Sequence, residues 1–496
     1  MNRGVRLPRL IARTVAVGIC APLAGCMVGP DYVPPPAPAV TGYTREPLRD
    51  PRFAPGADVG GRWWTAFGSK DLDALVDEAL AHNPNLEAAQ ASLDMARENV
   101  LAQEGTLFPS VTADDKTSYQ KAPGGGLQSP LQNQQRFTYA LFTPRLSVAY
   151  APDVFGGARR QVESVAARAE NQRFQLEAAY LTLSTNVVAA AIQEAALREQ
   201  LAATQKVIQS QEKIRDLLKQ EVVLGQVADA DVVQQEAAIA VTRQAIAPIE
   251  RQIAIQRNLL TALVGRLPSE AVRQTFTLAS LRLPRHLPVS LPSDLVEQRP
   301  DVRAADALVH QASADVGVAV ANRLPQFAIS GDVGSSAITL TRLATSSANF
   351  YSVAGTVSQP LFDAGTLYHR QRAAEDALVQ AQAQYKAVVI AAFQNVADAL
   401  RAISFDTKAA AAATAAEQAT AKSFDLLQRE RVAGAANNLQ VLYSQQSYLN
   451  ALVSAAQAKA AQYADTAALF QALGGGWWNR SDVKPLRPDD DFFKAL

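Results

Sequence analysis

The sequence predicts a mainly α-helical fold with a transmembrane β part, arranged as two tandem repeats of one unit. Three observations predict this fold. One sequence pattern recurs about 210 residues further along the chain, each copy includes two stretches of alternating polarity, and each copy ends in helical stretches far longer than those of ordinary globular domains. We expect each repeat to contain two β-strands and long helices paired as a coiled-coil hairpin.

The composition of the 496 residues excludes several classes of protein. The 47 basic and 47 acidic side chains balance, which argues against a nucleic-acid partner. Two cysteines cannot form a disulfide-dense scaffold, and 48% hydrophobic residues exclude a disordered chain. Beyond residue 25 we find no charge-free apolar run of about 18 residues, which argues against a polytopic helical membrane protein.

The N-terminus predicts export and lipidation. Residues 1–25 have the pattern of a signal peptide, with four arginines between Arg3 and Arg13 followed by an apolar stretch. The stretch ends in Leu23-Ala24-Gly25-Cys26, which resembles the bacterial lipobox. The resemblance implies cleavage before Cys26 and a covalent diacylglycerol and N-acyl lipid on it. Met27 stands where an aspartate would retain such a lipoprotein at the inner membrane, so transport to the outer membrane is implied. The alternative is an ordinary signal with an incidental cysteine.

Composition shifts divide the rest of the chain. Residues 26–62 form a proline-rich segment, which we expect to be an extended tether that holds the body away from the bilayer. Repeat 1 is predicted at 63–265, repeat 2 at 294–474, and a proline-rich connector at 266–293 joins them. Residues 475–496 are a C-terminal tail.

The repeat is visible in paired positions. The segment Ala81–Ala89 matches Glu297–Ala305 in pattern, and Val264-Gly265 matches Leu473-Gly474. The first helix of each repeat is expected as one piece, at about 71–105 in repeat 1 and about 294–324 in repeat 2.

Two strands are predicted in each repeat, at about 109–120, 136–150, 325–337 and 349–360. Tyr351 and Val353 alternate with Ser352 and Ala354, so one face is apolar and the other weakly polar. In the second strand we expect the alternation to change face after Pro144, as at a β-bulge. A half-buried soluble sheet has the same period, but the strand length and the export signal favour a membrane crossing. Four strands are too few to enclose a pore, so the barrel is expected to be shared between chains.

The long helices follow the strands. Residues 158–221 have neither proline nor glycine, and these 64 residues would extend roughly 95 Å as a helix. Apolar residues recur in heptads there, which predicts left-handed coiled-coil packing. Pro248 is expected to kink the last helix of repeat 1. A glycine turn closes each hairpin, and Asp229 or Asn438 could cap the helix that follows.

Several motifs in this order resemble the outer-membrane-factor (TolC/OprM-like) family, and in particular its NodT-type efflux lipoproteins. They are the lipobox, Gly29-Pro30-Asp31-Tyr32-Val33-Pro34-Pro35, the pair Trp63-Trp64, the step His82-Asn83-Pro84, and the two hairpin turns. The resemblance covers nearly the whole mature chain. It implies a TolC-like fold and a homotrimer, whose 12-stranded barrel in the outer membrane of a Gram-negative bacterium continues as a helical periplasmic tunnel.

The same resemblance implies the function and the partners. The trimer would be a passive exit duct for drugs or other small toxic compounds. A periplasmic adaptor and an inner-membrane pump, usually of the resistance-nodulation-division type, would deliver them. The hairpin tips would contact the adaptor, and the implied residues are Leu224, Gly225, Gln226, Val227, Ala433, Gly434 and Ala435.

Family members commonly carry aspartates after the second tip, in a pattern such as Leu-Asp-Ala-Gln, and this sequence departs from it. The matching stretch is Leu439-Gln440-Val441-Leu442-Tyr443. Leu439 and Tyr443 share one helical face, and we hypothesise that three copies form an uncharged constriction. Asp229 and Asp231 of repeat 1 leave an acidic contribution open. The alternative is that Leu439 and Tyr443 only pack between helices.

Other functions have less support. The four histidines are scattered, and no phosphate loop or nucleophile elbow is present, so we expect no catalytic residue, metal or cofactor. The pair Asp114-Asp115 and the run Asp489-Asp490-Asp491 are interpreted as solvated acids. A type I protein secretion channel and a periplasmic coiled-coil scaffold without a pore remain alternatives. The sequence leaves the exported compound, the adaptor and the pump open.

Overall fold

The computed structural model describes residues 27–46, 50–121 and 138–482. The predicted signal peptide, Cys26, the end of the C-terminal tail and Asp489-Asp490-Asp491 lie outside these residues. The helices are α1 (Lys70–His82), α2 (Pro84–Glu104), α3 (Gly157–Val223), α4 (Asp229–Gln244), α5 (Ile246–Leu263), α6 (Pro292–Gln298), α7 (Pro300–Ala321), α8 (Thr366–Val432) and α9 (Asn438–Ala472). The strands are β1 (Phe53–Pro55), β2 (Ser110–Lys121), β3 (Thr138–Tyr150), β4 (Leu287–Val289), β5 (Gln326–Ser335) and β6 (Asn349–Ser358).

The two halves of the chain have the same order of elements. In each half, short helices lead into a strand pair, which leads into a very long helix. The long helices α3 and α8 each have 67 residues, and they begin at Gly157 and Thr366. In each half, a turn at the far end leads into helices that return along the long helix.

Proline divides the first helix of each half, where the sequence predicted one helix at about 71–105 and one at about 294–324. That prediction was wrong, because α1 ends before Asn83-Pro84 and α6 ends before Arg299-Pro300. A residue before proline is driven out of the α region, and Asn83 and Arg299 are extended with ψ values of 121° and 123°. Asn83 then caps α2, since its Oδ1 accepts the Asn85 N–H at 2.9 Å.

The interruption expected from Pro248 is confirmed. The helix that returns from the first tip divides at Ala245, between α4 and α5. Pro248 has no N–H and its ring crowds the carbonyl of Gln244, four residues earlier, so the helical hydrogen bonds cannot run through this point.

The main sheet joins the two halves. Its strand order is β2-β3-β5-β6, every neighbouring pair is antiparallel, and the repeats meet where β3 pairs with β5. A second, parallel pair of short strands, β1 and β4, connects the N-terminal segment to the connector.

The predicted change of face after Pro144 was wrong. The register of β2 with β3 is continuous, and Pro144 pairs with Asp115 in step with its neighbours. The ladder of β3 with β5 stops at Arg145, paired with Gly334, and pairing resumes in the same register at Phe142, which exchanges two backbone hydrogen bonds with Ala337. Pro144, which has no N–H, lies in the gap between them. Gly334 permits this close approach, since a Cβ there would overlap the Pro144 carbonyl oxygen.

The main apolar core lies between the two ends of the long helices. A short 3₁₀ helix, Trp63–Phe67, inserts three buried aromatic side chains beside α1 and α9. Trp63 stacks on Phe470 with ring centroids 5.4 Å apart, and Phe67 is fully buried next to Tyr463. The tryptophan pair singled out in the sequence therefore has a packing role, which fixes the N-terminal segment to both repeats.

Helix α8 is also the one described helix that is long and apolar enough to cross a membrane by length and composition alone. An 18-residue window in it has a mean hydropathy of 1.3, and 33% of that window is buried. The 67 residues of α8 greatly exceed the roughly 20 that a bilayer requires. Its packing along α9 and α7 covers part of the apolar side chains, and others, such as Ile390, stay exposed in the single chain.

Two carboxyl groups meet between α8 and α9, away from the tips. Asp465 of α9 lies beside Asp406 of α8 and is partly buried. Burial, together with the hydrogen bond and the charge of Asp406, raises the pKa of Asp465 to about 7. A proton shared by the pair therefore relieves the repulsion below neutral pH.

Replacing Phe67 by alanine is expected to lower the free energy of unfolding by about 3–5 kcal/mol, because it leaves a cavity in the core. Met95→Ala is the control, since that side chain is exposed and its loss should cost no more than about 0.5 kcal/mol. Urea denaturation of the detergent-solubilised protein measures both values. Equal losses in the two variants would contradict the assignment of the core.

Replacing Asp465 by asparagine is expected to stabilise the protein at pH 8 and to have little effect at pH 4. The folded state holds a proton on Asp465 that the unfolded state has lost between these values, so the stability of the native chain falls as pH rises through the pKa of about 7. Denaturation midpoints across this range measure the effect. Asp398→Asn on the exposed side of α8 is the control, and the prediction fails if both variants show the same pH dependence.

Candidate functional site

The four-stranded sheet has one apolar and one polar face. Because paired residues share a face, the register aligns apolar side chains across all four strands. The apolar face comprises Val111, Leu146, Val148, Ile329, Val333, Tyr351, Val353 and Val357. Much of this face is exposed in the single chain, and Tyr351 and Val353 are 84% and 80% exposed. A sheet of this kind requires apolar surroundings on one side.

The polar face carries a network of charges. Arg145 lies between Asp114 and Asp332, with nitrogen–oxygen distances of 3.7 and 3.6 Å. Ser147 and Ser352 donate hydrogen bonds to Asp332 at 2.6 and 3.0 Å. The network crosses from repeat 1 to repeat 2, so the strands that join the repeats are also held by their side chains.

The continuous register changes the position of two side chains. Tyr139 and Leu141 were expected on the apolar face and lie on the polar one, opposite Gln120 and Ser118. Asp115 lies on the apolar face and Asp114 on the polar face, so these two adjacent acids do not form one site.

The two hairpin tips are closed by the same backbone geometry. Gly225 and Gly434 have φ values of +70° and +76°, and the following N–H groups of Gln226 and Ala435 donate back to carbonyls of the long helices. Six of the seven predicted contact residues are exposed; they are Leu224, Gly225, Gln226, Ala433, Gly434 and Ala435. The seventh, Val227, packs against the apolar cluster below the tip.

An ion pair that the sequence did not indicate joins the two tips. The Arg431 guanidinium of α8 lies 2.6 Å from a carboxylate oxygen of Glu221 in α3. Only 8% of the Arg431 side chain is exposed, so this pair is better shielded from solvent than an ordinary surface pair. Nothing in the two helix patterns could have matched these residues, which are 210 positions apart.

The capping of α9 differs from the expectation. Asn437, not Asn438, is the cap residue: its side chain accepts the Gln440 N–H at 2.9 Å, and Gln440 accepts the Asn437 N–H at the same distance. Gln440 lies beside the predicted constriction, but its side-chain oxygen already accepts this hydrogen bond at the start of α9. At the other tip the cap residue is Ala228, and Asp229 stands inside the first turn of α4.

Leu439 and Tyr443 lie one turn apart on an outward face of α9. Their exposed fractions are 44% and 67%, so they are not packed between the helices of this chain. Asp229 and Asp231 lie on the other hairpin, in the first turn of α4, where negative charge stabilises a helix N-terminus. The two sets of predicted constriction residues therefore come from different repeats.

The proline-rich segment does not begin as a free tether, contrary to the prediction for residues 26–62. The Val28 N–H donates to the Phe155 carbonyl at 3.1 Å, so the segment is docked on the body from its first described residues. Arg160 of α3 is 1% exposed, and its guanidinium lies 2.6 Å from an Asp31 carboxylate oxygen. The prolines make the segment extended, but a buried charge that needs partners holds it in place.

His310 and Glu163 form a structural contact in the part of the chain that the structure describes. Among residues 27–46, 50–121 and 138–482, no three His, Cys, Asp or Glu side chains are grouped so that they could hold a metal ion. His310 contacts Glu163 at 3.0 Å, and Tyr32 of the N-terminal segment stacks on the His310 ring.

The comparisons with known proteins agree with this geometry. Residues 75–266 and 291–475 match the family described as outer membrane efflux protein. The chain is 29% identical to the pyoverdine export outer membrane protein OpmQ of Pseudomonas putida, over 84% of this chain and 88% of that protein. It is 24% identical to Nodulation protein T of Rhizobium leguminosarum bv. trifolii, over 92% and 95%.

A solved structure of the outer-membrane channel OprN superposes with a TM-score of 0.84 and 26% identity, and the match covers 91% of this chain and all of that one. The predicted TolC-like fold is thereby confirmed, and the members of this family are channels rather than enzymes. The chain belongs to the outer membrane efflux protein family: it is an efflux channel component of the Gram-negative outer membrane that extends into the periplasm.

Proposed function

We propose that three copies of the chain form one closed exit duct through the outer membrane and the periplasm. The observation that carries this proposal is the open sheet, whose edge strands β2 and β6 have no partner strand among the described residues. An open edge cannot face lipid, and four strands cannot enclose a pore. Three copies would supply twelve strands, with the apolar face toward lipid and the Arg145 network toward water.

The long helices support the same assembly. The 67 residues of α3 or α8 extend about 100 Å, long enough to form a periplasmic tunnel. Apolar side chains of α8 remain exposed in the single chain, among them Val379, Ile390, Phe405 and Leu426. A neighbouring copy would cover them, as in a coiled-coil bundle.

The tips are proposed to contact a periplasmic adaptor. Leu224 is 69% exposed at the end of the first hairpin, and glycine and alanine at both tips leave the backbone accessible. The shielded Arg431–Glu221 pair would hold the two tips as one surface. The adaptor in turn would connect the duct to an inner-membrane pump, for which the resistance-nodulation-division class is proposed.

Leu439 and Tyr443 are proposed to line an uncharged constriction near these tips. Their exposure on one face of α9 supports a position in the lumen of the trimer. Asp229 and Asp231 would add charge only if the first hairpin faces the same lumen.

Lipidation of Cys26 remains a proposal, because this residue lies outside the described part of the chain. The lipobox pattern supports it, and so does the docked position of Met27 and Val28 close to the sheet.

The cargo is proposed to be a small compound delivered by the pump. OpmQ exports pyoverdine, which is a property of that relative. A type I secretion channel would use the same duct and stays the alternative. A scaffold without a pore is less consistent with the two-faced sheet.

The mass of the detergent-solubilised complex tests the assembly, and a monomer would contradict it.

Arginine on the apolar face of β6 is expected to reduce assembly in the outer membrane. Val353→Arg would place a charge in lipid at a cost of about 2–4 kcal/mol, whereas Ala354→Arg points to the polar face. The fraction of heat-resistant oligomer in purified outer membranes measures the difference. Equal assembly of both variants would contradict the proposed orientation of the sheet.

Replacing Tyr443 by alanine is expected to raise the single-channel conductance of the closed duct, because it widens the proposed constriction. Tyr448→Ala removes the same side chain five residues further along α9, where the ring stacks on Phe424 inside the chain. That control should leave the conductance as it is. Planar-bilayer recordings measure both, and an unchanged conductance in Tyr443→Ala would exclude the constriction.

A further inference from the structure

Three buried N–H donors lie on one side of α3 without an acceptor. They are the indole nitrogens of Trp63 and Trp64 and the Nε of Arg173, and none has a hydrogen-bond partner among the described residues. Trp63 and Trp64 are only 3% and 4% exposed, so solvent does not reach them freely. A buried donor left unpaired costs roughly 1–3 kcal/mol, and such groups in a native fold usually have a partner.

A small cavity lies beside the two indoles. Its volume is about 30 Å³, and Trp63, Trp64, Ser184 and Gly475 are among the residues that line it. A Cβ added at Gly475 would lie 3.5 Å from Cδ1 of Trp63, the ring carbon bonded to the indole nitrogen. The N–H edge of Trp63 therefore faces this glycine. The cavity has room for one water molecule or one ion of similar size.

A larger cavity adjoins the small one. Its volume is about 300 Å³, and Arg97 and Arg173 contribute to its lining. Glu177, Tyr180 and Arg480 line both cavities, so these three side chains stand between them. The small cavity thus lies at the inner side of a polar region that is rich in arginine.

The carboxylates of this region already have arginine partners. Arg480 lies 2.9 and 2.7 Å from carboxylate oxygens of Glu177 and Asp482. Arg97 pairs with Asp94 at 3.2 Å. Burial raises the pKa of Glu177, although the nearby arginines oppose this shift, and a raised pKa favours the neutral carboxyl. These acids therefore leave little uncompensated negative charge.

Arg173 differs from the other two arginines in its contacts. Its guanidinium lies over the rings of Phe174 and Trp477, 5.4 and 6.0 Å from their centroids. Within the described part of the chain it forms no ion pair, and its Nε has no acceptor. Aromatic faces attract a cation, but they do not supply the charged acceptor that a guanidinium binds most strongly.

We propose that the small cavity binds a monovalent anion of halide size. The N–H groups of Trp63 and Trp64 hold it, and Arg173 and Arg480 supply the positive charge. An anion fits these donors better than a water molecule does, because water would bring two further donors that need acceptors. The ion connects the 3₁₀ helix Trp63–Phe67 to α3 and to the segment of Arg480, so it stabilises the fold rather than moving through the duct.

Bromide is the probe, because it quenches tryptophan emission on contact and has a size that suits the cavity. The full mature chain in detergent is titrated with sodium bromide against sodium gluconate at constant ionic strength, since gluconate is too large for about 30 Å³. We expect a saturable loss of emission and a rise of the thermal unfolding midpoint with bromide, because an ion that binds only the folded state stabilises it.

Matched variants locate the ion. Arg173→Gln is expected to weaken the apparent bromide affinity at least roughly tenfold, because a positive charge beside a buried site is lost. Arg168→Gln, on an exposed position of α3, is its control. Trp64→Phe keeps an aromatic ring and removes the N–H, so it should weaken binding too. Trp478→Phe should not, because the Trp478 indole already donates to Asp58 at 3.0 Å.

Two results would overturn the inference. One is quenching of the native chain that stays linear in bromide, with the same unfolding midpoint in bromide and gluconate. The other is an affinity that is equal in the native chain, Arg173→Gln and Trp64→Phe. Circular dichroism checks that each variant is folded, and Trp63→Phe replaces a variant that is not. Because neither measurement uses conductance or oligomeric state, a negative result would leave the proposed function intact.

Discussion

Inside a bilayer the peptide backbone finds no water, so every N–H and C=O must bond within the protein, and the rest of this structure depends on that constraint. It requires the antiparallel register of β2, β3, β5 and β6, and it makes the unpaired edges of β2 and β6 intolerable in a single chain. In the proposed assembly, neighbouring copies would pair with these edges, and the two faces of the sheet would separate lipid from water. The long helices begin within a few residues of the end of the sheet.

Proline and glycine residues set where the helices end and where the hairpins turn. Pro84 and Pro300 divide the helices before the strands, and Gly225 and Gly434 turn the hairpins at the opposite end. After Gly157 in α3, and throughout α8, the chain has neither proline nor glycine, which lets these two helices run for 67 residues each. Buried arginines then fix the pieces: Arg160 joins the N-terminal segment to α3, as Arg431 joins the two tips. The length of α3 and α8 agrees with the extension of the chain into the periplasm.

Much of this architecture could be predicted, and the errors have a common cause. Alternation and helix length depend on neighbouring residues, so the strands, the hairpins and the interruption before Pro248 could be read from local pattern. The interruptions at Pro84 and Pro300 were missed because the helical periodicity continues across them. Pro144 was expected to mark a β-bulge. It keeps the register of β3 instead, because Gly334 of the other repeat has no Cβ to overlap the Pro144 carbonyl oxygen. The docking of the N-terminal segment was missed because its partner, Arg160, is about 130 residues away.

The sequence by itself determined the two repeats, the TolC-like class, the polarity of the strands outside the first half of β3, and the family, because each of these depends on neighbouring residues or on a pattern that recurs. Only the tertiary structure decided which face Tyr139 and Asp115 occupy, which asparagine caps α9, and that Leu439 and Tyr443 point away from their own chain. It also decided that the N-terminus is clamped rather than tethered. The clamp on the N-terminus and the ion pair between the tips depend on contacts between segments more than 100 residues apart, and pairing across such distances is set by packing and buried charge, which no local periodicity encodes. The faces of β2 and β3 and the cap of α9 depend on strand register and cap geometry, which the pattern of polar and apolar residues does not fix by itself.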